Sequence, residues 1–173
     1  MNEVIKSLIE RRSCRQYKAE QISDEELNTV LEAGTFAPTA MGRQDPIMVA
    51  VQDPETLAWM DKANAAFTGN PDGHPFYGAP TVVVVLAPRA SGTAMQDGSL
   101  VMGNLLNAAY ALGLGCCWVN RAMEVFDTDE GKAMLKKWGI EGDYIGVGNC
   151  ILGYPAAEKA PAAPRKADYI YKV

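Results

Sequence analysis

The sequence predicts an α/β or α+β chain built on one sheet with helices packed against it. Two patterns carry this: strand-sized apolar runs that alternate with stretches of helical spacing, and a long final tail without either period. The 173 residues match the ~100–200 expected of one domain, so residues 1–173 are read as a single unit. Hydrophobic residues make up 48% and charged residues 21%, which supports a packed core and argues against disorder.

Residues 2–11 have the spacing of a short amphipathic helix, with Val4, Ile5, Leu8 and Ile9 on one side. A second helix starts at Ser23, a capping residue with Glu26 three positions on, and continues through Leu27, Val30 and Leu31 to the neighbourhood of Gly34. A loop follows from Ala37 to Pro46, then a strand over Ile47–Val51 and a helix over Pro54–Phe67. Gly, Pro, Asn and Asp make Thr68–Pro80 a surface loop. Thr81–Ala87 is a continuous β-branched run, as in a strand buried on both faces. Leu100–Leu112 is a helix without a charge, covered either by its own chain or by a partner subunit. Gly113 and Gly115 stop it. Cys116–Val119 is a short strand, Asp129–Trp138 a helix and Tyr144–Leu152 the last strand. An Ala- and Pro-rich tail then runs to Arg165-Lys166.

Several function classes find no support. The formal net charge of −5 argues against nucleic acid as a partner. No apolar run approaches the ~20 residues of a membrane helix, and the first residues lack the apolar core of a signal peptide, so the expected location is cytoplasmic. Cys14, Cys116, Cys117 and Cys150 have no metal-site spacing and read as reduced thiols. The Gly-x-Gly-x-x-Gly and Gly-x4-Gly-Lys phosphate motifs are absent. His74, the one histidine, sits in a Gly/Pro loop without an identifiable triad partner. Phe67, Tyr77 and Trp138 read as core or rim aromatics.

One local anomaly stands out in this acidic chain. Arg11, Arg12, Arg15 and Lys18 fall within eight positions, with Ser13 and Cys14 among them, where the first helix should end. A solvated basic face beside a helix C-terminus is one reading. The other is an anion site, since guanidinium forks bind phosphate bidentately and Ser13 adds a hydroxyl.

The string Ile9-Glu10-Arg11-Arg12-Ser13-Cys14-Arg15-Gln16-Tyr17 resembles the opening motif of the FMN-dependent nitroreductase-like family. Ala37-Pro38-Thr39-Ala40-Met41-Gly42-Arg43-Gln44 is similar to that family's Ala-Pro-Ser-x-x-Asn-x-Gln loop, Asn104–Trp118 to its central helix and following strand, and Ile151–Pro155 with Arg165-Lys166 to its C-terminal end. The resemblance implies an α+β fold, a central mixed but mainly antiparallel sheet flanked by helices in an intertwined homodimer. It also implies FMN at the subunit interface. Arg11, Arg12, Ser13 and Arg15 would hold the phosphate and pyrimidine edge, and Arg165 and Lys166 would close on the phosphate. Pro38, Thr39, Gly42 and Gln44 would reach the ring from the other subunit, and Cys117, Trp118 and Val119 would pack along it. Gly42 stands where the family commonly has Asn, and Asp45-Pro46 where it has a Pro-aromatic pair. The activity implied is a flavoprotein oxidoreductase using NAD(P)H, NADPH included, to reduce nitro-aromatic, quinone-like or similar small aromatic acceptors. FMN does the chemistry, so no catalytic side chain is assigned. The alternatives are a non-catalytic flavin carrier or sensor, or a dehalogenase or flavin-fragmenting branch of the family.

Overall fold

The computed structural model describes residues 1–173. Helix α1 (Glu3–Glu10) is capped by Asn2, whose side chain accepts from Ile5 N at 3.0 Å. None of its residues is buried: Val4, Ile5, Leu8 and Ile9 are 45–67% exposed. Helix α2 (Asp24–Thr35) begins with the predicted capping box, Glu26 N donating to Ser23 Oγ at 3.2 Å and Ser23 N to Glu26 Oε2 at 2.9 Å. A 3₁₀ turn (Ala40–Gly42) leads into β1 (Ile47–Val51), and α3 (Pro54–Ala65) follows behind an Asp53 cap.

The loop to Pro80 is pinned to α3 by Asp61, which accepts from Phe76 N and pairs with His74 Nδ1, both at 2.8 Å. His74 therefore has a carboxylate partner that its sequence context did not reveal. The pair anchors a loop, with no nucleophile bonded to the ring.

Strand β2 (Thr81–Pro88) lies as predicted, with Thr81–Ala87 buried throughout. Helix α4 (Ala94–Ala111) starts six residues before Leu100. Strand β3 (Gly115–Val119) is followed by a helix the sequence pattern did not disclose, α5 (Ala122–Asp127), then α6 (Asp129–Lys137) and β4 (Tyr144–Gly153).

The sheet order is β1-β2-β4-β3, and every strand pair is antiparallel. The one parallel pairing is an isolated bridge, Ser13 to Cys116, on the outer edge of β3. The sheet is thus antiparallel rather than mixed, except at that bridge. Alternating side chains supply two cores. Val83, Val85, Cys116 and Cys150 pack with Met102, Leu105 and Ala109 of α4, while Val82, Val84, Cys117 and Ile151 pack with Met60 and Phe126. Most of α4 is therefore covered by its own chain, with Leu100 and Leu112 left exposed. The helix lacking cover is α1. No helix is long and apolar enough to cross a membrane.

Candidate functional site

The basic cluster is fixed in place by backbone. After α1, the chain runs along the free edge of β3, with Cys14 N donating to Cys116 O at 2.9 Å. Its other side meets the start of the tail, where Lys18 N donates to Tyr154 O and Ala156 N to Gln16 O, both at 2.9 Å. Tyr17 locks the turn by donating its hydroxyl to Cys14 O at 2.8 Å. Burial pushes that phenol well above its ordinary range, so it stays a neutral donor.

The arginines divide the two roles left open above. Arg12 Nη1 donates to Ile9 O at 2.8 Å and Arg11 O at 2.6 Å, so it caps the last carbonyls of α1. Arg11 turns inward instead. Its Nη1 is buried without a hydrogen-bond partner, and its guanidinium lies beside the Cys116 thiol. Burial pushes that thiol up to about 11 although Arg11 pulls the other way, so it is a neutral thiol that cannot neutralise the arginine. A buried guanidinium with a free N–H is the kind of group an anion satisfies. Ser13 and Arg15 are exposed. With Arg12 and Tyr110 they line a cavity of about 390 Å³, floored by Gly113–Gly115 and walled by Pro155–Ala160 of the tail.

Lys159 in that wall was not singled out in the sequence. Its Nζ is 3.2 Å from Glu10 Oε2, contacts the Tyr110 hydroxyl and lies 4.9 Å from the Tyr110 ring centroid. The hydrogen bond from Lys159 holds the Glu10 carboxyl below its usual range. The available signal was that Glu158-Lys159 are the only charges between Pro155 and Arg165.

The second group is the loop carrying Pro38, Thr39, Gly42 and Gln44. Thr39 organises it: its hydroxyl accepts from Gln44 N and its carbonyl from Gly42 N, each at 2.9 Å. Asp97, 4% exposed, accepts from Ala40 N at 3.0 Å and from the Thr93 hydroxyl at 2.8 Å, tying the loop to the first turn of α4. Met41, Gly42 and Gln44 have φ of +56°, +66° and +57°. For the two non-glycine residues this is a sparsely populated conformation, of the sort that persists where surrounding contacts hold it. An α-helix rises ~1.5 Å per residue, so Asp97 and Tyr110 lie about 20 Å apart along α4. The loop and the basic cavity therefore occupy opposite ends of one helix, and a single chain does not bring them together.

Along β3, Cys117 and Val119 face the α3–α5 side of the sheet, and Cys116 and Trp118 face the α4 side. Trp118 lies over Gly148, where a Cβ would come within 2.6 Å of the indole nitrogen. Three consecutive side chains cannot face one ligand from a strand, so a group packed along residues 117–119 meets the strand's backbone edge or alternate side chains. Arg165 donates to Ala163 O at 3.2 and 2.7 Å, and Lys166 Nζ lies 5.3 Å from the Tyr169 ring centroid. Neither lines the cavity, whose tail residues end at Ala160.

Comparison with known proteins shows the family of the chain. The model of the nitroreductase family matches residues 8–154. An Archaeoglobus fulgidus protein, provisionally named NADH dehydrogenase/NAD(P)H nitroreductase, is 34% identical over 92% of this chain and 89% of its own. A Bacillus subtilis FMN reductase of the NAD(P)H type is 27% identical over 96% of this chain and 72% of its own. A Bacteroides fragilis nitroreductase with bound FMN covers 100% of both chains with a TM-score of 0.91 and 29% identity. A Desulfitobacterium hafniense nitroreductase with bound FMN gives 0.88 at 29% identity over 99% of each chain.

Proposed function

The chain belongs to the nitroreductase family, and from that premise we propose that it is an FMN-dependent NAD(P)H oxidoreductase whose acceptors are nitro-aromatic, quinone-like or similarly electron-poor small molecules. The observation that carries the reading is the cavity lined by Arg12, Ser13 and Arg15, with the buried, unpartnered Nη1 of Arg11 on the residue just before them in the chain. A phosphate dianion meets what these groups lack: acceptors for free guanidinium N–H groups and a counter-charge for cations. Bound there, FMN supplies two-electron transfer between a nicotinamide and an acceptor.

The protein's part is binding and orientation. Arg11, Arg12 and Ser13 hold the phosphate end, and Arg15 the pyrimidine edge, where a cation favours negative charge on the ring. The backbone edge at Cys117–Val119 gives the ring a flat wall. Pro38, Thr39, Gly42 and Gln44 come from a second copy, because α4 separates them from the basic cavity of their own chain. The Thr39 hydroxyl, already accepting from Gln44 N, keeps its proton to donate. Arg165 and Lys166 lie on an exposed tail that closes on the phosphate when the site is filled. The exposed apolar face of α1 is the surface that a homodimer covers.

The test is direct. Purified protein is denatured, the released flavin identified, and NAD(P)H oxidation followed with a quinone or nitro-aromatic acceptor. FMN with acceptor-dependent oxidation supports the reading. Protein that neither retains nor rebinds FMN overturns it.

A further inference from the structure

Lys159 occupies a position that the basic cluster at α1 does not account for. It lines the same cavity as Arg12, Ser13 and Arg15, contributed by the tail rather than by the segment after α1. Three lysine or arginine side chains line that space against one carboxylate, Glu158, so the interior favours an anion. The side chain is also held ready. Glu10 Oε2 is 3.2 Å away on one side, and the Tyr110 hydroxyl and ring position the nitrogen on the other. Glu10 and Lys159 are 43% and 49% exposed, and ion pairs of that kind contribute little. Exchanging Glu10 for a phosphate, with more charge and more acceptor oxygens, is favourable, and Tyr110 keeps the ammonium in place through the exchange.

We propose that Lys159 is a phosphate-binding residue of this cavity and makes it select phosphorylated over unphosphorylated flavin. The inference rests on the FMN reading above and adds to it a contact from the tail wall, upstream of the Arg165-Lys166 pair. It also assigns Glu10 a role, as the carboxylate that parks Lys159 beside the cavity before the ligand enters.

The experiment is a fluorescence titration of FMN and riboflavin into flavin-free wild-type protein and the variants Lys159→Met, Lys159→Arg and Glu10→Gln. Lys159→Met is expected to weaken FMN binding about tenfold, the loss of one charge-assisted contact, and to leave riboflavin binding unchanged. Lys159→Arg should restore FMN affinity. Glu10→Gln should bind FMN at least as tightly as wild type, because the competing carboxylate is gone. The proposal is overturned if Lys159→Met weakens both flavins equally, or neither. It is also overturned if Glu10→Gln loses FMN affinity as Lys159→Met does, since the two residues would then only tether the tail. Wild-type protein that binds neither flavin overturns the FMN reading itself, a result distinct from an unchanged FMN-to-riboflavin ratio in Lys159→Met.

Discussion

Replacing Arg11 by methionine should move two measurements in opposite directions. Without ligand, Nη1 of Arg11 is a buried charged donor without an acceptor, and the Cys116 thiol beside its guanidinium is neutral. An unsatisfied buried donor costs ~1–3 kcal/mol, more when charged. Methionine keeps most of the apolar stem and removes the charge. The flavin-free Arg11→Met protein should gain roughly 1 kcal/mol in stability, a rise in Tm of about 2–4 °C for a chain of this size. Flavin binding should respond the other way. A hydrogen bond to a charged group contributes ~1.5–3 kcal/mol, so FMN affinity should fall at least about tenfold. At saturating FMN the wild type then gains more from ligand than the variant, by ~1.4 kcal/mol per tenfold difference in affinity. The order of melting temperatures therefore reverses: variant above wild type without FMN, variant level or below with it. Thermal denaturation at several FMN concentrations reads both effects, with Lys18→Ala as an exposed control within about 0.5 kcal/mol of wild type. A flavin-free Arg11→Met protein that melts lower than wild type while binding FMN equally well would refute the reasoning, because Arg11 would then be a packing residue satisfied by its own chain.

Ile5→Asp combined with Leu8→Asp places charge on the exposed face of α1 and should convert a dimer to a monomer in light scattering at micromolar concentration; an unchanged mass would remove α1 from the interface. Glu26 is held below the usual carboxylate range, first by the Tyr154 hydroxyl at 2.6 Å and then by the Ser23 cap. A lowered folded pKa gives stability that is present above the unfolded value, about 4.3, and lost as pH falls through the folded one. Glu26→Gln should thus lower Tm at pH 7, and the difference from wild type should shrink as pH falls through the lowered folded pKa; a constant difference across pH would mean the charge is not involved. Turnover should be ping-pong, since the chain has no dinucleotide-binding fingerprint to hold the nicotinamide apart, so nicotinamide and acceptor must use the flavin's face in turn. Parallel reciprocal plots check this, and intersecting lines would require a second substrate surface.

What the sequence disclosed was local. The Ser23–Glu26 capping box, the β-branched run of β2 and the glycine stop after α4 are each written in a few adjacent residues, and each stands in the structure as predicted. What it concealed depends on tertiary contact. The first turns of α4 look polar because Asp97 and Gly98 interrupt the apolar pattern. Asp97 is there to hold Ala40 N, and Gly98 because a Cβ would lie 2.5 Å from Val147. Helix α5 is six residues long and enters through Arg121 at φ +77°, too short for a period to emerge. The apolar composition of Leu100–Leu112 left open whether its own chain or a partner covers that helix; the sheet and α2 bury most of it, and α1 is the helix left exposed. At the basic cluster, residue types gave the chemistry, but only packing could separate Arg12, which caps a helix, from Arg11, which has no partner.

The position of the two half-sites has a thermodynamic consequence for the proposed dimer. Asp97 fixes one half to the start of α4 and Tyr110 borders the other near its end, so no rotation of side chains can join them within a chain. Two copies related by a twofold axis can, each offering its loop to the other's cavity, and every such site then needs both chains. A ligand that binds only the assembled site must favour assembly by the same free energy with which assembly favours binding. FMN should accordingly shift the dimerisation equilibrium, and dilution should weaken FMN affinity. The strained loop fits this scheme. Met41 and Gln44 are held at positive φ by bonds within their own chain, so the loop is already shaped before it meets the partner's ligand, and little ordering entropy is lost at the moment of binding. Breaking the Thr39 hydroxyl contact with Thr39→Val would release the loop in one chain and appear as a loss of affinity in the site of the other. In mixed dimers of wild-type and Thr39→Val chains, the weakened site should be the one whose arginines belong to the wild-type chain.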